Sequence, residues 1–183
     1  GDQLQDIVIV DCGIGFPQDK ALGVDFVIPD ISYLKDKLSK VRAILLTHGH
    51  EDHISALPYR YTDLGEPPMY ASRLTSAFIK NKFKETGQQP NITLVDFDQR
   101  YKFGGITAEF VRMTHSIPDT THILIRTPAG NIYHGSDYKF DFNPLDGKLS
   151  ELDKINAVGK EGVLCLLTDC LGSERRGFTP SEQ

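Results

Sequence analysis

The sequence predicts a mixed α/β domain in which buried strands alternate with helices. Short apolar runs rich in β-branched residues alternate with segments of helical period. A length of 183 residues suits one domain with a sizeable core. The composition, with 25% charged and 39% hydrophobic residues, is ordinary for a globular protein. We therefore expect one α/β (α+β) domain over residues 1–183.

Strands are predicted where a short apolar run is bounded by turn residues. In chain order these runs are Ile7–Val10, Ala43–Thr47, a short piece from Tyr70, Ile106–Met113, His122–Thr127, Asn131–His134 and Val163–Thr168. The runs at 43–47 and 163–168 are apolar enough to predict buried strands. The turn residues Pro128-Ala129-Gly130 predict a hairpin between two of these strands.

Helices are predicted at residues 31–38, 72–85 and 149–158 from the spacing of their apolar side chains. In the second helix Ser72 is expected to be the N-cap, and Gly87 is expected to end it. Residues 54–57 are expected to form a first helical turn that Pro58 interrupts.

Several classes of protein are disfavoured by composition. No stretch approaches the ~20 apolar residues that cross a bilayer, and residues 1–6 lack the layout of a secretory signal. These two features predict a cytoplasmic protein. Cys12, Cys165 and Cys170 are odd in number, lie outside any Cys-x-x-Cys spacing, and two of them sit inside apolar runs, which predicts buried reduced thiols instead of a disulfide framework. The net charge of −5 argues against a basic surface that grips nucleic acid unaided.

The most informative motif is His48-x-His50-x-Asp52-His53, which places three imidazoles and a carboxylate in one short loop after a strand. In an extended loop residues 48 and 50 point the same way, so their ring nitrogens can approach one zinc ion at about 2.0–2.1 Å. Asp52 and His53 lie where a helix begins and are offset enough to serve a neighbouring ion. Gly49 leaves the backbone free for this course. The alternative is an exposed polar loop whose histidines and aspartate cap a helix.

One loop cannot fill two coordination shells, so a dinuclear site needs ligands from distant parts of the sequence. His115 lies just beyond a predicted strand, where loops commonly carry chemistry. Asp137 also follows a predicted strand, and a carboxylate can bridge two cations. Taken alone, His115 suits a solvated loop and Asp137 suits a turn. Both gain weight beside the first motif.

Three further residues have weaker signals. His122 and His134 lie within strand patterns, which favours packed or hydrogen-bonded strand histidines. Asp11, at the end of the first strand, is placed to orient a ligating histidine through its second ring nitrogen. An ordinary turn residue is the alternative for Asp11.

These motifs resemble the metallo-β-lactamase-fold hydrolases and, over roughly residues 7–183, the ribonuclease J family. The first motif specifies only the superfamily, whereas the last two of the following segments point to the ribonuclease J branch. The segments are Val10–Gly13 with Phe16-Pro17, Thr47–Tyr59, Thr114–Asp119, Gly135–Asp141, and Leu166–Cys170 running to Glu174–Glu182.

The resemblance implies a four-layer αββα sandwich, two zinc ions and an RNA substrate. It makes His48, His50 and His115 ligands of one zinc, Asp52 and His53 ligands of the other, and Asp137 the bridge. Asp169 matches an acidic residue that supports the site by hydrogen bonding. The expected chemistry is hydrolysis by a metal-bridged hydroxide that Asp52 positions, with His48 and His50 indispensable through the metal. The residues expected to be catalytic are Asp52, His50, His115 and Asp137.

Some family features have no counterpart in this chain, so we expect a core truncated at both ends. The second zinc of the family takes a further histidine from a segment after the β-CASP insertion, and that insertion would begin near residues 172–183. The second site is thus expected to be one ligand short, and the chain alone to be a weak nuclease. The strands that precede Ile7 in the family are missing, which predicts an exposed sheet edge. Ser55 stands where the family has glycine.

Two other functions remain open from the sequence. A small-molecule hydrolase of the same fold would act on thioesters, lactones or β-lactams, although the Gly177–Glu182 stretch argues against it. A non-catalytic metal-binding scaffold would keep its function when Asp52 is replaced by alanine. We expect no membrane association, and we expect self-association to use segments outside this chain.

Overall fold

The structure, a computed structural model, describes residues 5–17 and 22–182. Residues 1–4, on which part of the expected lack of a signal sequence rests, lie outside the described residues. The chain forms two compact units, the first ending at Leu94 and the second beginning at Val95. The expectation of a single domain stays a prediction.

The first unit is built on a parallel sheet with strand order β1-β2-β3-β4. Its strands are β1 Ile7–Val10, β2 Val41–Leu45, β3 Met69–Ala71 and β4 Ile92–Leu94. Its helices are a 3₁₀ helix at Ser32–Lys40, α1 Glu51–Ile54, α2 Leu57–Arg60 and α3 Arg73–Thr86. Parallel strands need crossover connections, and the helices between them provide these.

Burial of apolar side chains holds this unit together. Ile44 and Leu46 are fully buried and pack with Phe83 of α3 in one cluster. The predicted buried strand at 43–47 corresponds to β2, which begins and ends two residues earlier, and the predicted burial of residues 43–47 is confirmed. Burying each large side chain of this kind contributes about 1.5–3 kcal/mol.

Helix α3 matches the predicted helix closely, and its ends have clear causes. Ser72 occupies the N-cap position in extended conformation, but its hydroxyl donates to Oγ1 of Thr75 at 2.9 Å and makes no bond to a backbone N–H. Gly87 ends the helix with a left-handed φ of 70°, which only glycine adopts at little cost.

The prediction that Pro58 interrupts a helix was wrong. The break falls at residues 55–56, and Pro58 lies in the first turn of α2. A proline is tolerated there because the first N–H groups of a helix have no partner within the helix.

The second unit is built on a five-stranded sheet with strand order β5-β6-β7-β8-β9. Its elements are β5 Arg100–Phe103, β6 Ile106–Arg112, β7 Thr121–Thr127, β8 Gly130–His134, helix α4 Leu152–Glu161 and β9 Cys165–Leu167. The predicted hairpin is confirmed, since β7 and β8 pair antiparallel with Thr127 opposite Gly130. Strands β6, β8 and β9 run in the same direction, because β7 is antiparallel to both of its neighbours and β8 pairs parallel with β9.

Two predictions for the end of the chain were wrong. Strand β9 is exposed, with Leu166 and Leu167 open to solvent, because within the described residues β9 has a neighbouring strand on one side only. Cys165 and Cys170 are consequently exposed, and only Cys12 is a buried thiol. The three cysteines are free, as predicted. None of the helices in the described ranges is both long and apolar enough to cross a membrane.

Candidate metal centre

Strands β1 and β2 deliver the first group of candidate residues to one sheet edge. The two strands pair in parallel, with Val10 opposite Leu45, so both chains leave the sheet on the same side. Asp11 follows β1 directly, and its backbone N–H donates to the carbonyl of Leu45 at 2.9 Å. The loop that carries the His48 motif follows β2. Parallel pairing therefore places Asp11 beside that loop.

The metal loop is defined as residues 47–53. It enters helix α1 with His50 at the N-cap position, in extended conformation. The carbonyl of His50 accepts the backbone N–H groups of His53 and Ile54, each at 3.1 Å. Asp52 and His53 thus lie on the first helical turn, where their positions are fixed by α1.

Thr47 fixes the proton of His48. Its hydroxyl lies 2.7 Å from Oδ2 of Asp11 and 3.0 Å from Nδ1 of His48. A hydroxyl has one proton, and the acceptor-only carboxylate of Asp11 takes it, so Nδ1 of His48 must donate to Thr47. The Nε2 lone pair of the fully buried His48 then points to Nδ1 of His50, 3.0 Å away.

Asp11 fixes the proton of His53 in the same way. Oδ2 of Asp11 lies 2.8 Å from Nδ1 of His53, so this nitrogen donates to the carboxylate and leaves Nε2 as the acceptor. That Nε2 lies 3.7 Å from Oδ2 of Asp52, whose side chain is about half exposed (51%). The backbone of Asp11 has a positive φ of 59°, a conformation that aspartate and asparagine adopt more readily than most residues.

The backbone after β1 packs directly against the metal loop. The N–H of Cys12 donates to the carbonyl of His53 at 2.8 Å, and the N–H of Ala56 donates to the carbonyl of Cys12 at 3.0 Å. A Cβ atom added to Gly13 would lie 1.6 Å from the carbonyl oxygen of Asp52. Only glycine fits here, because the obstructing atoms are backbone.

The second group of candidates lies in the second unit, at the ends of β6 and β8. These strands run in the same direction, so His115 and Asp137 leave the sheet at the same edge. Nε2 of His115 lies 3.7 Å from Oδ2 of Asp137. Both side chains are partly buried.

Backbone contacts of Thr114 hold these two loops together. Its N–H donates to Oγ of Ser150 at 3.0 Å, its carbonyl accepts the N–H of Lys139 at 2.8 Å, and its hydroxyl donates to the carbonyl of Lys139. His115 therefore directly follows the anchored Thr114, and Asp137 lies two residues before the anchored Lys139.

Asp169 and the strand histidine His122 make other contacts. Oδ1 of Asp169 accepts the N–H of Leu171 at 2.7 Å, while the N–H of Asp169 donates to the carbonyl of Ser136 at 3.1 Å. Asp169 is thus tied to the residue that precedes Asp137. Nδ1 of the buried His122 lies 3.1 Å from the hydroxyl of Tyr133, and burial lowers the pKa of His122 to about 4.

Each unit thus brings together its own share of the candidates. The first unit gathers His48, His50, Asp52 and His53 around Asp11, and the second gathers His115 and Asp137. The donor set of imidazole nitrogens and carboxylate oxygens is the set that zinc takes in proteins. Their separations of 3.0 and 3.7 Å are close to the edge of a tetrahedral zinc site, about 3.3 Å for bonds of about 2.05 Å. The residues present fit divalent cations.

Two positions at the site carry roles that the motif did not indicate. Thr47 sets the ring orientation of His48, and Gly13 makes room for the backbone of the metal loop. A hydroxyl residue directly before the first histidine was the only sequence signal for Thr47. Gly13 gave no signal beyond being a turn residue.

The chain is similar to known proteins in sequence and in fold. Residues 7–156 match the model of the beta-lactamase superfamily domain. Ribonuclease J of Thermus thermophilus is 42% identical over 185 residues, which cover 97% of this chain and 32% of that protein. Ribonuclease J 1 of Streptococcus pyogenes is also 42% identical, over 186 residues that cover 100% of this chain and 33% of that protein. The chain therefore spans about a third of the length of these curated relatives.

A solved structure shows the same fold. A metallo-beta-lactamase with a HARLDQ motif from Cronobacter sakazakii superposes with a TM-score of 0.60 at 15% identity, covering 90% of this chain and 70% of that chain. At this level of identity the similarity is evidence for the fold alone. It confirms the predicted fold class.

Proposed function

We propose, since this chain belongs to the beta-lactamase superfamily, that it is the metal-binding catalytic part of a ribonuclease that hydrolyses RNA phosphodiester bonds. The observation that carries the proposal is the fixed orientation of the histidines. Thr47 and Asp11 hold the protons of His48 and His53 on Nδ1, which leaves both Nε2 atoms as lone-pair donors. The similarity to the ribonuclease J proteins supports RNA as the substrate.

We assign the ligands of two zinc ions as the family pattern has them. His48, His50 and His115 would hold one ion, Asp52 and His53 the other, and Asp137 would bridge the two. The proposal requires the first and second groups of candidates to share one centre. The second ion has fewer ligands from this chain and is expected to bind more weakly.

When bound, the cations supply positive charge to the attacked phosphate and lower the pKa of bound water. The residues of the chain itself orient the attacking water and accept its proton. The half-exposed Asp52 carboxylate is positioned to accept a proton from the attacking water and to hold that water in line. The buried His48 contributes position, because its ring cannot turn without breaking the bond to Thr47.

The expected compartment is the cytoplasm, and the expected partner is RNA. Three free cysteines, two of them exposed, suit a reducing environment. The acidic charge of the chain makes its overall affinity for RNA low, so slow turnover is expected.

The test is metal-dependent cleavage of a labelled oligoribonucleotide with the chain in excess over RNA. We expect slow cleavage with added zinc, no cleavage with EDTA, and at least about a 100-fold loss in Asp52→Asn, because removing a general base typically costs this much. Asp63→Asn is the matched control, since Asp63 is an exposed carboxylate that pairs with Arg60. Cleavage that survives EDTA or Asp52→Asn would refute the proposal. Hydrolysis of a β-lactam or thioester without cleavage of RNA would favour a small-molecule hydrolase.

A further inference from the structure

A buried histidine that is not a proposed ligand contacts one of the proposed metal ligands. His122 is the second residue of β7, and only 4% of its surface is exposed. Its imidazole donates a hydrogen bond to the backbone carbonyl of Asp137. This bond joins the interior of the second unit to the loop that follows β8, defined here as the 135–138 loop.

Two tyrosines fix the ring of His122 in place. Its Nδ1 lies 3.1 Å from the hydroxyl of Tyr133 on β8. The ring also packs edge-on against Tyr133 and against Tyr138, with centroids 5.5 and 5.9 Å apart. Because Tyr138 directly follows Asp137, His122 contacts two successive residues of the 135–138 loop. A ring packed in this way cannot turn without breaking these contacts.

The backbone of the 135–138 loop needs support of this kind. Ser136, directly before Asp137, has a positive φ of 29°, which residues with a side chain rarely adopt. Such a conformation persists where the surrounding structure holds it. The carbonyl of Ser136 accepts the N–H of Asp169 at 3.1 Å, and the next carbonyl, that of Asp137, accepts from His122. The backbone from which the Asp137 carboxylate projects is therefore held at two successive carbonyl groups.

His122 is not itself placed to bind an ion. Its ring is not among the donor groups of the described residues that lie close enough together to share a metal ion. Two roles are left for this side chain. A packed core histidine would stabilise the fold and leave metal binding unchanged, whereas a partner that orients a ligand changes metal affinity about 10- to 100-fold when it is lost. The bond to the backbone of a proposed ligand favours the second role.

We propose that His122 is a positioning residue of the metal centre, whose hydrogen bond to the carbonyl of Asp137 holds the Asp137 carboxylate in the orientation that bridges two ions. The inference rests on the proposed function, since Asp137 is taken there as the bridging ligand. It adds to the site a buried side chain that binds neither metal nor substrate and acts through the backbone of a ligand.

The first experiment measures amide hydrogen exchange of the metal-free full chain in EDTA, by mass spectrometry of the peptide that covers residues 135–141. His122→Phe keeps a ring but loses the donor, and it should speed exchange there about fivefold, as expected for one hydrogen bond between neutral groups. His122→Gln keeps an N–H donor and should restore most of the protection. The matched control is Val158→Ala, which removes buried surface from the core cluster that also contains Tyr133. It should lower the urea midpoint without speeding exchange of this peptide more than that of other peptides in the second unit.

The second experiment measures zinc affinity of the same proteins at pH 7, by competition with a chromophoric chelator. His122→Phe is expected to bind zinc about tenfold more weakly, His122→Gln to stay within about threefold of the wild type, and Val158→Ala to be unchanged. Cobalt(II) in place of zinc reports ligand geometry through its visible absorption, which should change in His122→Phe and not in Val158→Ala. Should His122→Phe not fold, Tyr133→Phe takes its place, because it removes the hydroxyl that holds the His122 ring. The same changes are then expected, with a smaller loss of affinity.

Faster exchange in His122→Phe with unchanged zinc affinity and cobalt absorption would make His122 a structural residue only. That result would overturn the inference and leave the proposed metal centre standing. Equal zinc affinity in His122→Phe and Val158→Ala would overturn it in the same way. A wild-type chain that binds no zinc would refute the proposed function, and the inference would fall with it whatever the exchange of the 135–138 loop.

Discussion

Oδ2 of Asp11 lies 2.8 Å from Nδ1 of His53, although the two residues are 42 positions apart in the sequence. The same carboxylate accepts the N–H of Thr47 at 2.8 Å and its hydroxyl at 2.7 Å. Asp11 therefore sets the orientation of His53 directly and that of His48 through Thr47. It acts as a positioning residue for two proposed ligands at once.

Replacing Asp11 with asparagine should weaken metal binding while the fold persists. Asparagine tolerates the positive φ at this position, but its amide would present N–H₂ to Thr47 or His53 in place of an acceptor. His53 would then carry its proton on Nε2 and could not bind metal there. We expect zinc affinity to fall about 10- to 100-fold, measured by competition with a chromophoric chelator. Unchanged zinc affinity would show that Asp11 does not position the histidine.

Replacing Gly13 with alanine should disrupt the metal loop. The new Cβ would lie 1.6 Å from the carbonyl oxygen of Asp52 and 2.4 Å from the backbone nitrogen of His53. Neither atom can move without shifting α1, so we expect at least about 3 kcal/mol of destabilisation in urea unfolding. Gly15→Ala is the control, since its Cβ would meet Val27 only at ordinary contact distances of 3.8–3.9 Å. Equal stability of the two variants would contradict the close approach.

Replacing His115 with alanine should lower the zinc content of the purified protein. If the two groups of ligands share a centre, one ion loses a ligand and its bridge to Asp137 is weakened. We expect the bound zinc per chain to fall below the wild-type value, measured by atomic emission. His134→Gln serves as the control, because His134 lies within β8 and is not among the proposed ligands. A zinc content equal to that of the wild type would show that His115 is not a ligand of the centre.

The buried His122 should make the metal-free protein sensitive to mild acid. Burial, aided by His134 and His115, lowers its pKa from 6.5 to about 4. Between pH 6.5 and about pH 4 the unfolded chain therefore binds a proton at His122 that the folded chain does not. The free energy of unfolding is consequently highest above pH 6.5 and falls as the pH drops towards 4. The loss amounts to about 3 kcal/mol.

His122→Phe checks this prediction by urea unfolding in EDTA at pH 7 and pH 4.5. The variant loses the bond to Tyr133 at both pH values, so the informative quantity is the change in stability between them. We expect the variant to lose less stability on acidification than the wild type. An equal loss would assign the acid sensitivity to other groups.

The three thiols should react at two different rates. Burial raises the pKa of Cys12 to about 11, whereas Cys165 and Cys170 are exposed. A thiol-disulfide reagent at pH 8 should therefore modify two thiols quickly and the third only after unfolding. Fast reaction of all three would show that the segment after β1 opens readily.

Much of the fold could be predicted from local pattern. Strand β1 has the predicted bounds, and helix α3 begins and ends beside the residues expected to cap it. Strand β5 was missed, although its alternation of exposed Arg100 and Lys102 with buried Tyr101 and Phe103 was visible. Strand β4 has three residues and too short a pattern to detect.

The candidate site shows where sequence stops being informative. The His48 motif identified the metal loop because its residues are adjacent in the chain. The bond from Asp11 to His53 depends on the parallel pairing of β1 with β2, and the exposure of β9 depends on which strands flank it. Both depend on tertiary structure, which the residue type at a single position in the sequence does not indicate.

Strands β6, β8 and β9 run in the same direction, so their loops emerge side by side while the strands themselves stay locked in their ladder. Those loops can lengthen, shorten or be exchanged without breaking a single strand pairing. Proteins of this architecture can therefore change which molecules they bind by changing a few loop residues, while the imidazole nitrogens and carboxylate oxygens of the candidate metal ligands stay in place.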